Sequence, residues 1–211
     1  MEEQEFKLRV TRPEQFEAIA NAPEVTALAA GPARTLSMTA DYIDTADRRL
    51  LKAGYAYRVR REGDHWVATV KADLGPADEG GLHRHQEWEA AVAGPEPDLA
   101  VFADPELSRA LAGACGDRPL VTLFRVDMKR RQCLLDLGGG SRAEWAADRG
   151  RIVAGEREET VCEVELELKE GAIAPLGELI TTLRRQYPLE PDTRTKFARG
   201  LALAGLTPPE A

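Results

Sequence analysis

Met1-Glu-Glu-Gln-Glu-Phe-Lys-Leu-Arg-Val10 opens the chain with strict alternation. In an extended strand successive side chains point to opposite faces, so Glu3, Glu5, Lys7 and Arg9 share one side while Phe6, Leu8 and Val10 share the other. A lone stretch of this kind is what a surface strand with one wet face looks like. The alternation returns, however. In Cys162-Glu-Val-Glu-Leu-Glu-Leu-Lys169 it sets Glu163, Glu165, Glu167 and Lys169 against Val164, Leu166 and Leu168. It also puts Arg58 with Arg60, Thr69 with Lys71, and Glu87 with Glu89. Some strands bring carboxylates and others bring cations, and a site for an anion together with a metal ion needs both.

The chain has 211 residues, 43% of them hydrophobic, which is enough for a substantial core; all-β barrels of this length are often one domain. Residues 1–205 are therefore expected to form a single domain, with 206–211 as a tail. A formal charge of −8 argues against a general nucleic-acid-binding surface but leaves room for a local cationic pocket. Cys115, Cys133 and Cys162 are scattered and odd in number, which suits a reducing compartment, and they share no metal-ligand spacing. No basic leader with an apolar core opens the chain, and no stretch approaches the roughly 20 apolar residues of a membrane helix. A cytoplasmic protein with no membrane partner is expected.

Along the chain, Thr11 reads as the N-cap of a short helix ending near Pro23, with Pro13 in its first turn and Glu14 at the capping-box position. Residues 34–44 read as a strand, and Asp44 as the cap of a brief helix at 48–52 stopped by Gly54. Segments 55–61 and 65–71 form a hairpin about Gly63-Asp64. The turn-rich stretch 72–81 reads as a lip of the site. His83 and His85 are expected as exposed residues rather than ligands. Asp104 and Pro105 start a helix with Leu107 and Leu111 on its buried side. Residues 120–137 are strand material carrying Arg125 and Arg130, and three glycines from Gly138 turn the chain back. Alternation then puts Glu144 with Asp148. Ile173, Leu176, Leu179, Ile180 and Leu183 recur at helical spacing, and Lys196 lies near the start of a last short helix.

Glu3-x-Glu5-x-Lys7 resembles the ExExK signature of the CYTH, or triphosphate tunnel metalloenzyme, superfamily. The likeness continues in the family's order through Tyr42-Ile-Asp-Thr45, Tyr55-Ala-Tyr-Arg-Val-Arg-Arg-Glu-Gly63, Thr69-Val-Lys71, Glu87-Trp-Glu89, Ala147-Asp-Arg-Gly150, the Cys162–Leu168 run and Thr195-Lys-Phe-Ala-Arg-Gly200. The resemblance implies an α+β, mainly β fold: a closed antiparallel eight-stranded β-barrel forming a tunnel open at both ends, with helices packed on the outside. Closure also removes sheet edges and lets charged faces line a wet lumen, while Phe6, Leu8, Trp88, Val164 and Leu166 face outward. It further implies a small-molecule triphosphate bound by Lys7, Arg58, Arg60, Lys71, Arg130 and Lys196. Mg2+ or Mn2+ would be held by Glu3, Glu5, Glu163 and Glu165. Glu3, Glu5 and Lys7 would take a direct part in catalysis, with Glu87, Glu89, Asp148, Glu167 and Arg125 in support. Asp136 is an alternative to Asp148 whose surroundings fit less well.

The superfamily includes inorganic triphosphatases, thiamine triphosphatases, class IV adenylate cyclases and mRNA-capping triphosphatases, and the shared residues do not separate them. Organic substrates need a place for the organic part, often an aromatic platform. Trp66, Trp88 and Trp145 all have outward parity, so inorganic tripolyphosphate is the expected substrate. Thiamine triphosphate, cyclic AMP formation and a non-catalytic polyphosphate-binding module are the alternatives. No His-rich helical domain follows, so the domain is expected to stand alone; family members are commonly dimers, and oligomeric state stays open.

Overall fold

The computed structural model describes residues 2–72 and 77–206. Part of the expected lip at 72–81 and almost all of the expected tail lie outside the described residues. Strand β1 (Glu2–Val10) leads through a 3-10 turn (Pro13–Gln15) into α1 (Phe16–Ala20) and α2 (Pro23–Thr26). There follow β2 (Arg34–Thr45), α3 (Arg49–Lys52), β3 (Ala56–Glu62), β4 (His65–Ala72), β5 (Leu82–Val92) and α4 (Pro105–Cys115). The remainder is β6 (Leu120–Asp136), β7 (Arg142–Ala154), β8 (Arg157–Glu170), α5 (Ala174–Gln186), β9 (Leu189–Pro191) and α6 (Lys196–Ala204). No helix among the described residues is long and apolar enough to cross a membrane.

The strands lie in the order β5-β4-β3-β2-β6-β7-β8-β1, and β1 closes the ring on β5. Closure depends on β1 changing partners along its length. Residues 2–6 pair with β5, residues 5–9 with β8, and residues 8–10 with β9, which adds a ninth strand beside the barrel. All these pairings are antiparallel, and an eight-stranded closed sheet leaves no edge of the ring unpaired. Pro191 ends β9, a position where its missing N–H costs no ladder bond.

The outer wall carries two apolar cores. Leu8, Val164, Leu166 and Trp145 pack beneath Phe16 and Ile19 of α1 and Leu176, Leu179, Ile180 and Leu183 of α5. Tyr57, Val59, Ala68 and Val70 pack beneath Leu50 of α3 and Leu107 and Leu111 of α4, with Trp66 and Trp88 half-buried against them. Full burial of each such aliphatic side chain contributes about 1.5–3 kcal/mol. Asp104 caps α4 as expected, accepting from the backbone N–H of Glu106 and Leu107, and it also accepts from Trp88 Nε1 at 3.1 Å. Thr11 is not a cap: its hydroxyl donates to the carbonyl of Pro188, and the chain turns into the 3-10 segment from Arg12 without side-chain capping.

Asp44 has the structural role expected of it. Its carboxylate accepts from the backbone N–H of Thr45, Leu50 and Leu51 at 2.6–2.9 Å and is buried beneath α3. Asp44→Ala leaves these donors without their acceptor. It is expected to lower stability by about 2–3 kcal/mol in urea titrations while leaving kcat unchanged.

The third core lies inside the ring. Met38, Tyr42, Phe124, Val126, Met128 and Ile152 share strand parity with the charged lumen residues, yet they pack against Phe197, Leu201 and Leu203 of α6. The inner wall is thus charged along one stretch and apolar along another, and α6 covers the apolar stretch. Gly200 makes this approach close: a Cβ there would stand 2.1 Å from the Phe124 ring. Gly200→Ala is expected to cost about 1–3 kcal/mol by overpacking, with part recovered in a Gly200→Ala/Phe124→Leu double variant.

Candidate active site

The lumen is a cavity of about 680 Å3 whose described lining includes nine carboxylates and seven Lys or Arg side chains. A polyanion entering alone meets more negative than positive groups, so added divalent charge favours its entry. The lining alternates along the strands as expected: Glu3, Glu5 and Lys7 from β1, Arg58 and Arg60 from β3, Thr69 and Lys71 from β4, and Glu87 and Glu89 from β5. Arg130 from β6, Glu144 from β7, Glu165 and Glu167 from β8, and Lys196 from α6 complete it.

At its wall Lys196 Nζ donates to Glu165 at 2.8 Å and to Asp148 at 2.8 Å and Glu163 at 2.6 Å, the last two fully buried behind the lining. Lys7 Nζ bonds Glu165 and lies 3.4 Å from Glu163 and 3.7 Å from Glu5. Arg130 grips Asp148 with two parallel bonds of 2.8 and 2.7 Å and also bonds Glu165. Burial alone would lower the Lys7 and Lys196 ammonium pKa values, but the facing carboxylates raise both above their ordinary value. Burial likewise opposes ionisation of Asp148 and Glu165. Arg130 and Lys196 beside Asp148, and Lys196, Lys7 and Arg130 beside Glu165, hold both below the usual carboxylate range. Ligand oxygens of Asp148, Glu163 and Glu165 all lie within 4.8 Å of one another. An all-oxygen donor set of this kind suits a hard cation such as Mg2+ or Mn2+.

The opposite wall carries Arg58, Arg60 and Lys71, each beside carboxylates. Lys71 bonds Glu3 and lies 3.7 Å from Glu87, Arg58 lies 3.6 Å from Glu87, and Arg60 bonds Glu62 and lies 3.3 Å from Glu89. Arg58 Nε and Arg60 Nε are nevertheless buried with no hydrogen-bond partner among the described residues. Burial and the neighbouring Arg58 guanidinium push the Arg60 pKa down, so an anion placed between the two arginines would relieve both the empty donors and the like-charge contact. Glu167, paired with Lys169 at 2.6 Å, is pushed up to about 7, chiefly by burial.

Several expected residues lie elsewhere or in other surroundings. Arg125 is on the outer face, held by two bonds of 2.7 and 2.8 Å to Asp41, because it stands an odd five positions before the inward Arg130. Asp136, the alternative to Asp148, is exposed and accepts from Gly138 N–H in the turn. His83 and His85 are buried, not exposed: β1 covers them, pairing Glu5 with His83 and Glu3 with His85, and His83 Nε2 donates to the Asp192 carbonyl at 2.9 Å. The tryptophans do face outward. An inward aromatic platform exists all the same, formed by Tyr42, whose ring stacks at 4.6 Å on Phe124 and 5.6 Å on Phe197. Its hydroxyl accepts from Arg58 at 3.4 Å. Arg199 also went unassigned, although its place one helical turn after Lys196 puts both on one face of α6.

The CYTH domain family profile matches residues 1–201. An inorganic triphosphatase of Haemophilus influenzae is 28% identical over 163 residues, covering 77% of this chain and 44% of the relative. The chain therefore spans less than half the length of that curated relative. Among solved structures, a putative adenylyl cyclase from Hippeastrum, described as having a dominant triphosphatase activity, superposes with a TM-score of 0.64 at 18% identity over 98% of both chains. A putative adenylate cyclase from Bacillus halodurans superposes with a TM-score of 0.55 at 20% identity, over 92% of this chain and 95% of that one.

Proposed function

Because the chain belongs to the CYTH domain family, we propose that it hydrolyses a triphosphate with Mg2+ or Mn2+, converting inorganic tripolyphosphate to pyrophosphate and phosphate. The observation that carries this reading is the pair of buried, unpartnered Nε donors on Arg58 and Arg60 facing a lumen lined by both signs of charge. A planar guanidinium donates to two oxygens of one phosphoryl group, which a water-filled anion-free lumen does not require. The triphosphatase relatives support the same choice.

In this mechanism Arg58, Arg60 and Lys71 grip one part of the substrate. Lys7, Lys196 and Arg130 exchange carboxylate partners for phosphate oxygens around the group transferred. Glu3, Glu5, Glu163 and Glu165, with Asp148 beside them, are then free to hold the divalent ion. A bound Mg2+ or Mn2+ supplies neutralisation of phosphate charge and a polarised water. Water attacks the terminal phosphorus, the bridging P–O bond breaks, pyrophosphate leaves with the electron pair, and the proton released by the water passes to a phosphate oxygen of the products. No Ser, Cys or His nucleophile is required, and catalysis consists of positioning and charge stabilisation.

A second reading, an organic triphosphate, is favoured by Met38, Tyr42, Met128 and Phe197 at the lumen wall, which offer apolar and aromatic surface to an organic substituent. Phosphate release from tripolyphosphate, thiamine triphosphate and ATP, measured in parallel with Mg2+, Mn2+ and chelator, tests both. Metal-dependent release from tripolyphosphate alone is the expected result. Preference for thiamine triphosphate selects the second reading, and cyclic AMP with pyrophosphate from ATP would make the protein a cyclase. Tight polyphosphate binding without turnover of any substrate would overturn hydrolysis in favour of a binding module.

A further inference from the structure

Arg199 is nearly fully buried, and each of its three guanidinium nitrogens is engaged by β8. Nε donates to Glu159 at 2.7 Å, one terminal nitrogen to Glu163 at 2.8 Å, and the other to the Thr160 carbonyl at 2.6 Å. It thus ties α6 to the strand that bears Glu163 and Glu165. Gly200, the next residue, seats the helix against the Phe124 ring on β6, two strands from β8. Between these two contacts α6 has little freedom to slide or roll, and Lys196 sits one turn away on the same face. Glu163 joins the two side chains: Arg199 holds one of its oxygens and Lys196 Nζ the other, at 2.6 Å.

We infer that Arg199 is a positioning residue. It fixes the Glu163 carboxylate and, through it and through α6, the point at which the Lys196 ammonium meets the phosphoryl group. It touches no substrate, since its donors are all engaged on β8. A lysine in its place keeps the charge but offers its donors from a single nitrogen, which cannot reach Glu159, Glu163 and the Thr160 carbonyl as the three guanidinium nitrogens do, so Glu163 and Lys196 would lose their common register. This rests on the triphosphatase reading for its catalytic consequence, but its geometric content can be tested without that reading.

The experiment is a double-mutant cycle of Arg199→Lys and Lys196→Gln, read by steady-state phosphate release from tripolyphosphate and by calorimetric binding of tripolyphosphate in chelator. Arg199→Lys alone is expected to lower kcat roughly ten- to a hundredfold, the scale of a misplaced catalytic group, with KM changed less than kcat. Added to Lys196→Gln it should change kcat by about twofold at most, because a residue acting through Lys196 has nothing left to position. Glu159→Gln, which removes only the outer anchor, should act in the same direction with a smaller fall and keeps the test open should Arg199→Lys fold poorly. Effects that multiply in the cycle, or an Arg199→Lys protein with a lower melting temperature and unchanged kcat, would overturn the assignment. Should tripolyphosphate prove not to be hydrolysed, the same cycle on its Kd decides: non-additive losses uphold the clamp while the triphosphatase reading fails, and additive losses remove the clamp as well.

Discussion

A Glu163→Gln/Glu165→Gln protein is expected to lose metal-dependent phosphate release roughly a thousandfold or more, yet to bind tripolyphosphate more tightly than the parent when both are in chelator. The loss follows from the donor set. Both residues contribute to the group of oxygens that lie within 4.8 Å of one another, and metal-borne charge stabilisation is worth several kcal/mol, each 1.36 kcal/mol being about a factor of ten. Glutamine keeps the shape and one carbonyl oxygen of each side chain but removes the charge. The fall should therefore appear in kcat and in the metal concentration needed for half activity.

The gain in metal-free binding follows from the same contacts seen from the cations. In the protein as it stands, Lys7, Lys196 and Arg130 are all engaged by Glu163 or Glu165. An incoming phosphate has to compete with those carboxylates, and the competition weakens when they become amides. Calorimetry in chelator should show about a tenfold lower Kd for the double variant, which is 1.4 kcal/mol. Metal-dependent turnover preserved in the variant would remove Glu163 and Glu165 from the metal site. An unchanged Kd in chelator would show that cations and carboxylates do not trade partners, whatever happened to kcat.

The charged faces of β1, β3, β4, β5 and β8 were legible because each is a short run with period two, and period two survives any twist or curvature of the sheet. Parity also held the information about His83 and His85, which share a face with Glu87 and Glu89, and about Arg125, which stands an odd number of residues from Arg130. What parity cannot carry is a change of chemistry partway along one face. On β6, Arg130 faces the lumen with Met128, Val126 and Phe124, so charged residues and core residues occupy one periodic set. Only α6 explains why the second group is dry, and a nine-residue helix with an apolar stripe reads the same whether it lies outside a barrel or within its end. The inward platform of Tyr42 and Phe197 is hidden in the sequence for this reason, since the tryptophans, the larger aromatic residues, all have outward parity. Ring closure was beyond the sequence too: β1 pairs with β5, β8 and β9 at overlapping positions, and nothing in ten residues of alternation says how many partners they have.

Lys196→Met is expected to destabilise the protein at neutral pH and to flatten the part of its acid response that Asp148 and Glu165 carry. In the parent, Asp148 and Glu165 are held below the usual carboxylate range. Carboxylates with a depressed folded-state pKa contribute stability that is fully present above their unfolded value near 4 and is lost as pH falls through the folded value. Methionine fills a similar volume but takes away a cation that bonds Asp148, Glu163 and Glu165 together. Breaking a buried ion cluster by removing a single partner costs about 3–5 kcal/mol, because charge is left buried without compensation. Burial then acts on Asp148 and Glu165 with less opposition and moves their folded-state pKa values upward. The stability that Asp148 and Glu165 withdraw as pH falls through their folded-state values should therefore be withdrawn less steeply in the variant, while Glu167, pushed up to about 7 by burial, gives both proteins the same slope near neutrality. Urea midpoints in chelator at a series of pH values measure this directly, the two curves drawing together at the acid end. Mn2+ at neutral pH should restore part of the loss, since an ion bound only by the folded state stabilises by about 2.7 kcal/mol at a hundred times its Kd. A variant whose stability runs parallel to that of the parent across the whole range would mean that Lys196 is not the counter-charge of the three carboxylates.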